Sequence, residues 1–261
     1  MQRWMIVTAA VLLAAPGAAA AQDGDFRWTG RVADGRTIEI KGVNGDIDAQ
    51  PASGSEIEVR ATKNARRSDP ADVRIEVVEH AGGVTICAVY PTPRGNRQDN
   101  ECAPGDGGRM STDNNDVTVD FVVRVPAGAR LSARTVNGGV DVRGLTSDVE
   151  ASSVNGDVEV ATAGSATGES VNGSVQLAMG RADWEGERRA ASVNGGVTVI
   201  LPADANVVVS GSTVNGHIES DFPVTVRGNW GPRRMTGTIG SGGRELELET
   251  VNGAIEIRRG S

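Results

Sequence analysis

The sequence predicts an all-β fold of stacked short parallel strands, a β-solenoid with a right-handed coil. Three observations carry that expectation. First, the tripeptide Val-Asn-Gly occurs seven times, with corners at Asn44-Gly45, Asn137-Gly138, Asn155-Gly156, Asn172-Gly173, Asn194-Gly195, Asn215-Gly216 and Asn252-Gly253. Most copies lie about 20 residues apart, the spacing of a unit that stacks on itself. Second, each corner sits between segments that alternate apolar and polar residues, as half-buried strands do. Third, no apolar stripe of helical period persists for three turns.

Asn-Gly between alternating segments is also the strongest short signal for a β-hairpin, so an antiparallel hairpin meander is the alternative. A hairpin turn does not explain why the residue before each Asn is always Val. Nor does it explain why the residue two before is small: Gly42, Thr135, Ser153, Ser170, Ser192, Thr213 and Thr250. Stacking accounts for both. Equivalent residues then lie roughly 4.8 Å apart, and the Asn side chains can hydrogen-bond up the stack as a ladder. Each Val meets its own copies, the small residue leaves room inside the corner, and Gly supplies a positive φ. Parallel crossovers favour the right-handed coil.

Residues 1–21 read as a secretory signal: Arg3, the apolar run Met5 to Ala15, and the small-residue site Ala19-Ala20-Ala21. Cleavage is expected after Ala20 or Ala21, and no later apolar run is long enough for a transmembrane helix. Residues 22–125 read as an N-terminal β region continuous with the solenoid. Its strands are expected at Phe26–Thr29, Thr37–Ile40, Glu56–Ala61, Val73–Val78, Val84–Tyr90 and Val117–Val125. Alternation places Ile38 and Ile40 on one face and Glu39 and Lys41 on the other. Pro91 to Asn115 is irregular, and a disulfide between Cys87 and Cys102 is expected there, worth about 3 kcal/mol by loop entropy.

Residues 126–261 hold the regular repeats. Apolar pairs such as Leu131/Ala133, Val149/Ala151 and Leu246/Leu248 precede the corners, and Val140/Val142 and Val158/Val160 follow them. The long interval from Asn44 to Asn137 has room for four or five units. The interval from Asn215 to Asn252 is near two units, with Asn229-Trp230-Gly231 as a degenerate corner. Asn252, the last copy, is expected to end the stack and to matter less than interior copies.

The motif Thr/Ser-Val-Asn-Gly-x-Val/Ile-x-Val, seen at Thr135–Val142, Ser153–Val160, Ser192–Val199 and Thr250–Ile257, resembles a bacterial family of exported putative adhesins. That is a domain family of unknown function defined by β-strand repeats. The resemblance covers residues from about 130 to 261. It implies a β-solenoid with a role at the cell envelope, and it transfers no catalytic residue.

The chain after the signal carries 25 basic and 34 acidic residues, a net charge of −9, and so has no electrostatic footprint for nucleic acid or anionic lipid. His80 and His217 are the only histidines and lack zinc spacing. Asp106, Asp113, Asn114, Asn115, Asp116 and Asp120 offer oxygens for calcium but lack the order of a calcium loop, and a solvated loop is favoured. Trp28, Trp184 and Trp230 suit either sugar stacking or the filling of a thin core. Asp141, Glu159 and Glu256 recur as outward acids and read as a solubilising strand face.

The expectation is therefore a non-enzymatic exported protein, without cofactor or metal, adhesin-like or structural, that contacts an envelope or extracellular polymer or protein. Such contacts would be spread over outward residues such as Arg134, Glu150, Glu159 and Glu169. The alternative is a carbohydrate-active β-solenoid enzyme, a polysaccharide hydrolase or lyase, which needs carboxylates clustered beside a groove.

Overall fold

The computed structural model describes residues 20–21, 25–228 and 232–260. Most of the signal segment and the Asn229-Trp230-Gly231 corner lie outside the described residues. The N-terminal strands are β1 (Ala20–Ala21), β2 (Asp25–Gly30), β3 (Thr37–Lys41), β4 (Ile47–Pro51), β5 (Ile57–Asn64), β6 (Arg74–His80), β7 (Gly83–Val89) and β8 (Thr118–Val125). Four repeats follow, each with one strand before the corner and one after. They are β9 (Arg130–Asn137) with β10 (Val140–Leu145), β11 (Val149–Asn155) with β12 (Val158–Thr162), β13 (Ala166–Asn172) with β14 (Val175–Met179), and β15 (Glu187–Asn194) with β16 (Val197–Leu201). The chain continues through β17 (Val207–Asn215), β18 (Ile218–Ser220), β19 (Thr225–Arg227), β20 (Arg233–Ile239), β21 (Arg244–Asn252) and β22 (Ile255–Arg259).

These strands form two mixed sheets of 11 strands each. Sheet 1 runs β1-β2-β5-β8-β4-β10-β12-β14-β16-β22-β18, and sheet 2 runs β19-β20-β17-β21-β15-β13-β11-β9-β3-β7-β6. Each repeat gives its strand before the corner to sheet 2 and its strand after the corner to sheet 1. Successive repeats pair in parallel and in register, Asn155 opposite both Asn137 and Asn172. The hairpin meander is therefore wrong for the repeats. Antiparallel strand pairing, among the described residues, is confined to the two ends, in β1–β2–β5–β8, β6–β7, β17–β20 and β19–β20.

Alternation does what it predicts: Val149 and Ala151 turn inward from sheet 2, Val158 and Val160 from sheet 1, and Glu150 and Glu159 face out. One apolar cluster between the sheets extends from Phe26 to Ile257. With few aromatic residues, its bulk is Val, Ile, Leu and Ala.

The order of rungs departs from the order of the sequence at both ends. The interval between Asn44 and Asn137 does not hold four or five units. It supplies one further rung, β7–β8, placed outside β3–β4, and the antiparallel strands β5 and β6. The interval after Asn215 holds the hairpin-like β19–β20, which pairs with the outer edge of β17. The Asn252 rung then returns between two earlier ones: β21 lies between β15 and β17, and β22 between β16 and β18. Asn252 is interior, and the expectation that it ends the stack is overturned.

At the corners, the Asn side chains form a head-to-tail ladder. Nδ2 donates to the next Oδ1 at 2.8 Å from Asn137 to Asn44, Asn155 to Asn137, Asn172 to Asn155, Asn194 to Asn172, Asn252 to Asn194 and Asn215 to Asn252. Asn44 closes one end by donating to Val117 O at 3.3 Å. The small residue two before each Asn does more than leave room. The hydroxyls of Thr135, Ser153, Ser170, Ser192, Thr250 and Thr213 donate to the carbonyl of the corner Gly one rung away, at 2.7–3.0 Å.

The corner glycines are needed for a different reason than expected. Only Gly45 and Gly138 hold a left-handed φ, at 121° and 153°. At Gly156, Gly173, Gly195 and Gly253, an added Cβ would collide with the carbonyl of the neighbouring corner Gly.

Because an interior ladder residue makes two such bonds, each worth about 1 kcal/mol net, Asn252→Ala should destabilise as much as Asn155→Ala, by about 1–2 kcal/mol. Asn215→Ala, which breaks one ladder bond, should cost roughly half. Denaturant titration of the three variants measures this, and a negligible loss at Asn252 would contradict its interior place.

Candidate binding face

The outward side of sheet 2 carries the most continuous feature on the molecule. From the Asn155 corner onward the Val before each Asn is exposed, so these copies form a stripe down the stack, while Val136 is half-buried. Val154, Val171, Val193, Val251 and Val214 are 39–43% exposed, whereas Val43, at the other end, is buried. Beside the stripe lie the residues three and five before each Asn. Among them Ser152, Glu169, Arg189, Ala191, Ser212 and Glu249 join the valines in lining a shallow groove of about 500 Å³. The small Ser152, Ala191 and Ser212 make the concavity, because taller side chains flank them.

Charges on this face are organised around two arginines. Arg134 bonds Asp106 at 2.9 Å and Glu150 at 2.8 Å. Arg189 reaches Glu169 at 3.5 Å, Glu247 at 3.4 Å and, more closely, Glu249. The groove carboxylates are thus held by one guanidinium.

The outward face of sheet 1 is different. Asp48, Asp141 and Glu159 stand in register on adjacent strands. The Asp48 carboxyl is pushed above its ordinary value, first by burial and then by Asp141 and Asp46. Arg143 pairs with Asp141. Glu256 lies further along the stack, opposite Thr198 and Glu219. The acid row of sheet 1 lies away from the groove, and the carboxylates that do line the groove, Glu169 and Glu249, are engaged by Arg189. Likewise Glu159 does not share a face with Arg134, Glu150 and Glu169.

The remaining candidates resolve one by one. Among the described residues, His217, Glu219 and Glu256 form the group whose ligand atoms lie within 4.8 Å of one another. Arg258 stands 3.0 Å from Glu256 and 3.4 Å from Glu219, so a guanidinium already supplies the positive charge there. His80 is the last residue of β6, opposite Gly83, and not in the turn expected; it is bonded to Thr85 Oγ1 and accepts from Gly82 N.

The loop acids disperse. Asp106 pairs with Arg134, Asp120 accepts from Asp46 N at 3.1 Å, and Asp116 accepts from Ser68 N at 2.8 Å. The Ser68 hydrogen bonds hold the Asp116 carboxyl down to about 2. These three carboxylates serve separate partners. Trp28 and Trp184 are buried, and Trp184 Nε1 donates to Glu245 O at 3.2 Å, so neither offers a face to a sugar. Trp230 lies outside the described residues.

Cys87 and Cys102 are disulfide-bonded. Their loop fills the corner of the β7–β8 rung and folds over β3, which buries Glu39 and Lys41 instead of leaving them outward. Sequence alternation had no signal for that. The exposed valine stripe was legible as a repeat, but not as an outward one.

Fold and face together define an all-β protein of two mixed sheets with a repetitive, aliphatic outer face. Its sequence matches no family model and no curated protein. Among solved structures it is similar to a putative cell adhesion protein from Clostridium sporogenes, at 12% identity and TM-score 0.44, over 90% of this chain and 99% of that one. It is also similar to a putative adhesin from Bacteroides fragilis, at 13% identity and TM-score 0.38, over 90% and 98% of the two chains. At these values the likeness carries no argument about what this chain does.

Proposed function

We propose that the protein is an exported, non-enzymatic, right-handed β-solenoid of the bacterial cell envelope that binds an extended polymer or protein along the outer face of sheet 2. The observation that carries this reading is the valine stripe. A side chain that faces solvent on five adjacent rungs adds little to the core, and contiguous exposed apolar surface marks contact sites. Each rung offers much the same small patch, so contacts are weak singly and strong together. Avidity of linked contacts can exceed a single one by 10²–10⁴.

The test is binding of the purified chain to the isolated polymer fraction of its native envelope. Val154→Ser, Val171→Ser and Val193→Ser should each weaken binding a few-fold, and the triple variant should lose it at least a hundredfold. One substitution that abolishes binding, or cleavage of the polymer, would replace this reading with a discrete site. Export adds a check: intact mass of the recovered protein should place its N-terminus at Ala21 or Gln22 with no alkylatable thiol before reduction. A retained Met1 would sink the compartment assignment.

A further inference from the structure

We propose that the rung Arg244–Arg259 is exchangeable between copies, so that the slot between the Asn194 and Asn215 rungs takes this segment from a second molecule and yields a rung-swapped dimer. The argument starts from the strand order. Both walls of the slot precede the insert in sequence, and the insert pairs with both: β21 with β15 and β17 through Asn252, and β22 with β16 over Ile255–Arg259 and with β18 over Ile255–Ile257. The outer edge of β17, where a next rung would stack in sequence order, is covered by β20. The slot is the place left for an Asn252 rung.

The insert is seated by its own side chains and backbone against the two walls. Asn252 donates to Asn194 and accepts from Asn215, each at 2.8 Å. Thr250 Oγ1 donates to Gly195 O at 2.8 Å, and Gly253 O accepts from Thr213 Oγ1 at 2.9 Å. Leu246, Leu248, Ile255 and Ile257 are buried in the common core. The same segment from another copy would make every one of these contacts. The second copy is the fitting occupant because the slot reads a Thr-Val-Asn-Gly-x-Ile-x-Ile segment in register from both sides.

What differs between the closed and exchanged forms is the tether. Gly240-Ser241-Gly242-Gly243 turns the chain from β20 into β21, with Gly240, Gly242 and Gly243 all at positive φ. Its side-chain contacts are few: Ser241 N and Oγ bond Asn206 Oδ1 at 2.8 and 3.0 Å. Glycines open into an extended hinge without steric cost, and exchange of an identical element across such a hinge is a low-cost route to dimers.

A short tether keeps its own segment at an effective concentration in the mM range, so exchange should follow unfolding and refolding at high protein concentration. The experiment refolds the mature chain from denaturant, with Cys87–Cys102 intact, over a series of concentrations, and reads mass by light scattering. Monomer is expected at low concentration and a species of twice the mass as the mM range is approached. Deleting Gly242 and Gly243 strains the closed turn and should bring the dimer in at a concentration at least tenfold lower.

Topology is read with Ala191→Cys/Glu249→Cys, outward register partners on β15 and β21. Oxidised in the dimer, this pair should join two chains on a non-reducing gel. Oxidised in the monomer before unfolding, it should prevent dimer formation. Monomer at every concentration in the unmodified chain overturns the proposal, whether or not the shortened chain folds. A dimer whose engineered disulfides lie within each chain overturns it equally, since another surface would then join the copies.

Discussion

Gly195→Ala is expected to destabilise the protein by on the order of 3 kcal/mol or more, while Gly196→Ala, one residue on, should be close to neutral. A Cβ on Gly195 would stand far inside contact distance of the Gly173 carbonyl carbon and oxygen. Both partners are backbone, so relief requires the two rungs to separate. Separation would also lengthen the Asn194–Asn172 ladder bond and the Ser192 hydroxyl bond to Gly173. Overpacking of 1–3 kcal/mol is typical where side chains can shift, and here they cannot. On Gly196 the nearest atom to a new Cβ is Ala254 O at 3.6 Å, an ordinary contact. Removing a Gly from an unstrained position restricts the unfolded chain, which stabilises slightly. Thermal or denaturant melts of the two variants give the comparison. Equal melting would mean that close rung-to-rung approach is not why the corners are glycine.

Lys41→Met should cost about 3–5 kcal/mol, the range for leaving a buried charge without its partner. Lys41 Nζ lies 3.6 Å from Glu39 Oε1 and donates to the carbonyls of Ala103 at 2.6 Å, Gly105, and Gly107 at 3.2 Å. Glu39 Oε2 accepts from Thr85 Oγ1 at 2.7 Å and Gly105 N at 3.0 Å. This pair therefore fastens the disulfide loop onto β3. Losing Lys41 frees three carbonyls and strands Glu39, so amide exchange at 103–107 should accelerate along with the loss of stability. Glu39→Gln combined with Lys41→Met should recover part of the loss, since no uncompensated charge then remains. If Lys41→Met melts within 1 kcal/mol of the parent, the loop is held by the disulfide and its own turns.

Local order was legible where one residue's environment repeats. Seven Val-Asn-Gly corners specify stacking because each Asn bonds its own copy, each Gly touches its own copy, and the Ser or Thr hydroxyl bonds the corner Gly carbonyl one rung away. Alternation specified which residues of β9 to β16 enter the core, because a strand has a period of two and each sheet has one wet face. The β6–β7 pair and the Cys87–Cys102 bridge were readable for similarly local reasons.

Three things were decided only by the tertiary structure. The order of the rungs is not written in the repeats, because every copy presents the same pattern and any two stack equally well. The cover of β20 on β17 sends Asn252 inward. Alternation put Glu39 and Lys41 outward, and it is right about their face. A loop 62–66 residues further along the chain covers that face and makes a buried ion pair of two side chains that would otherwise meet water. Last, the invariant Val before each Asn read as part of the stack, and it does stack. From the Asn155 corner onward the corner geometry turns it away from the core, since the Ser or Thr before it faces inward to reach the next rung's carbonyl, and strand parity leaves the Val outside.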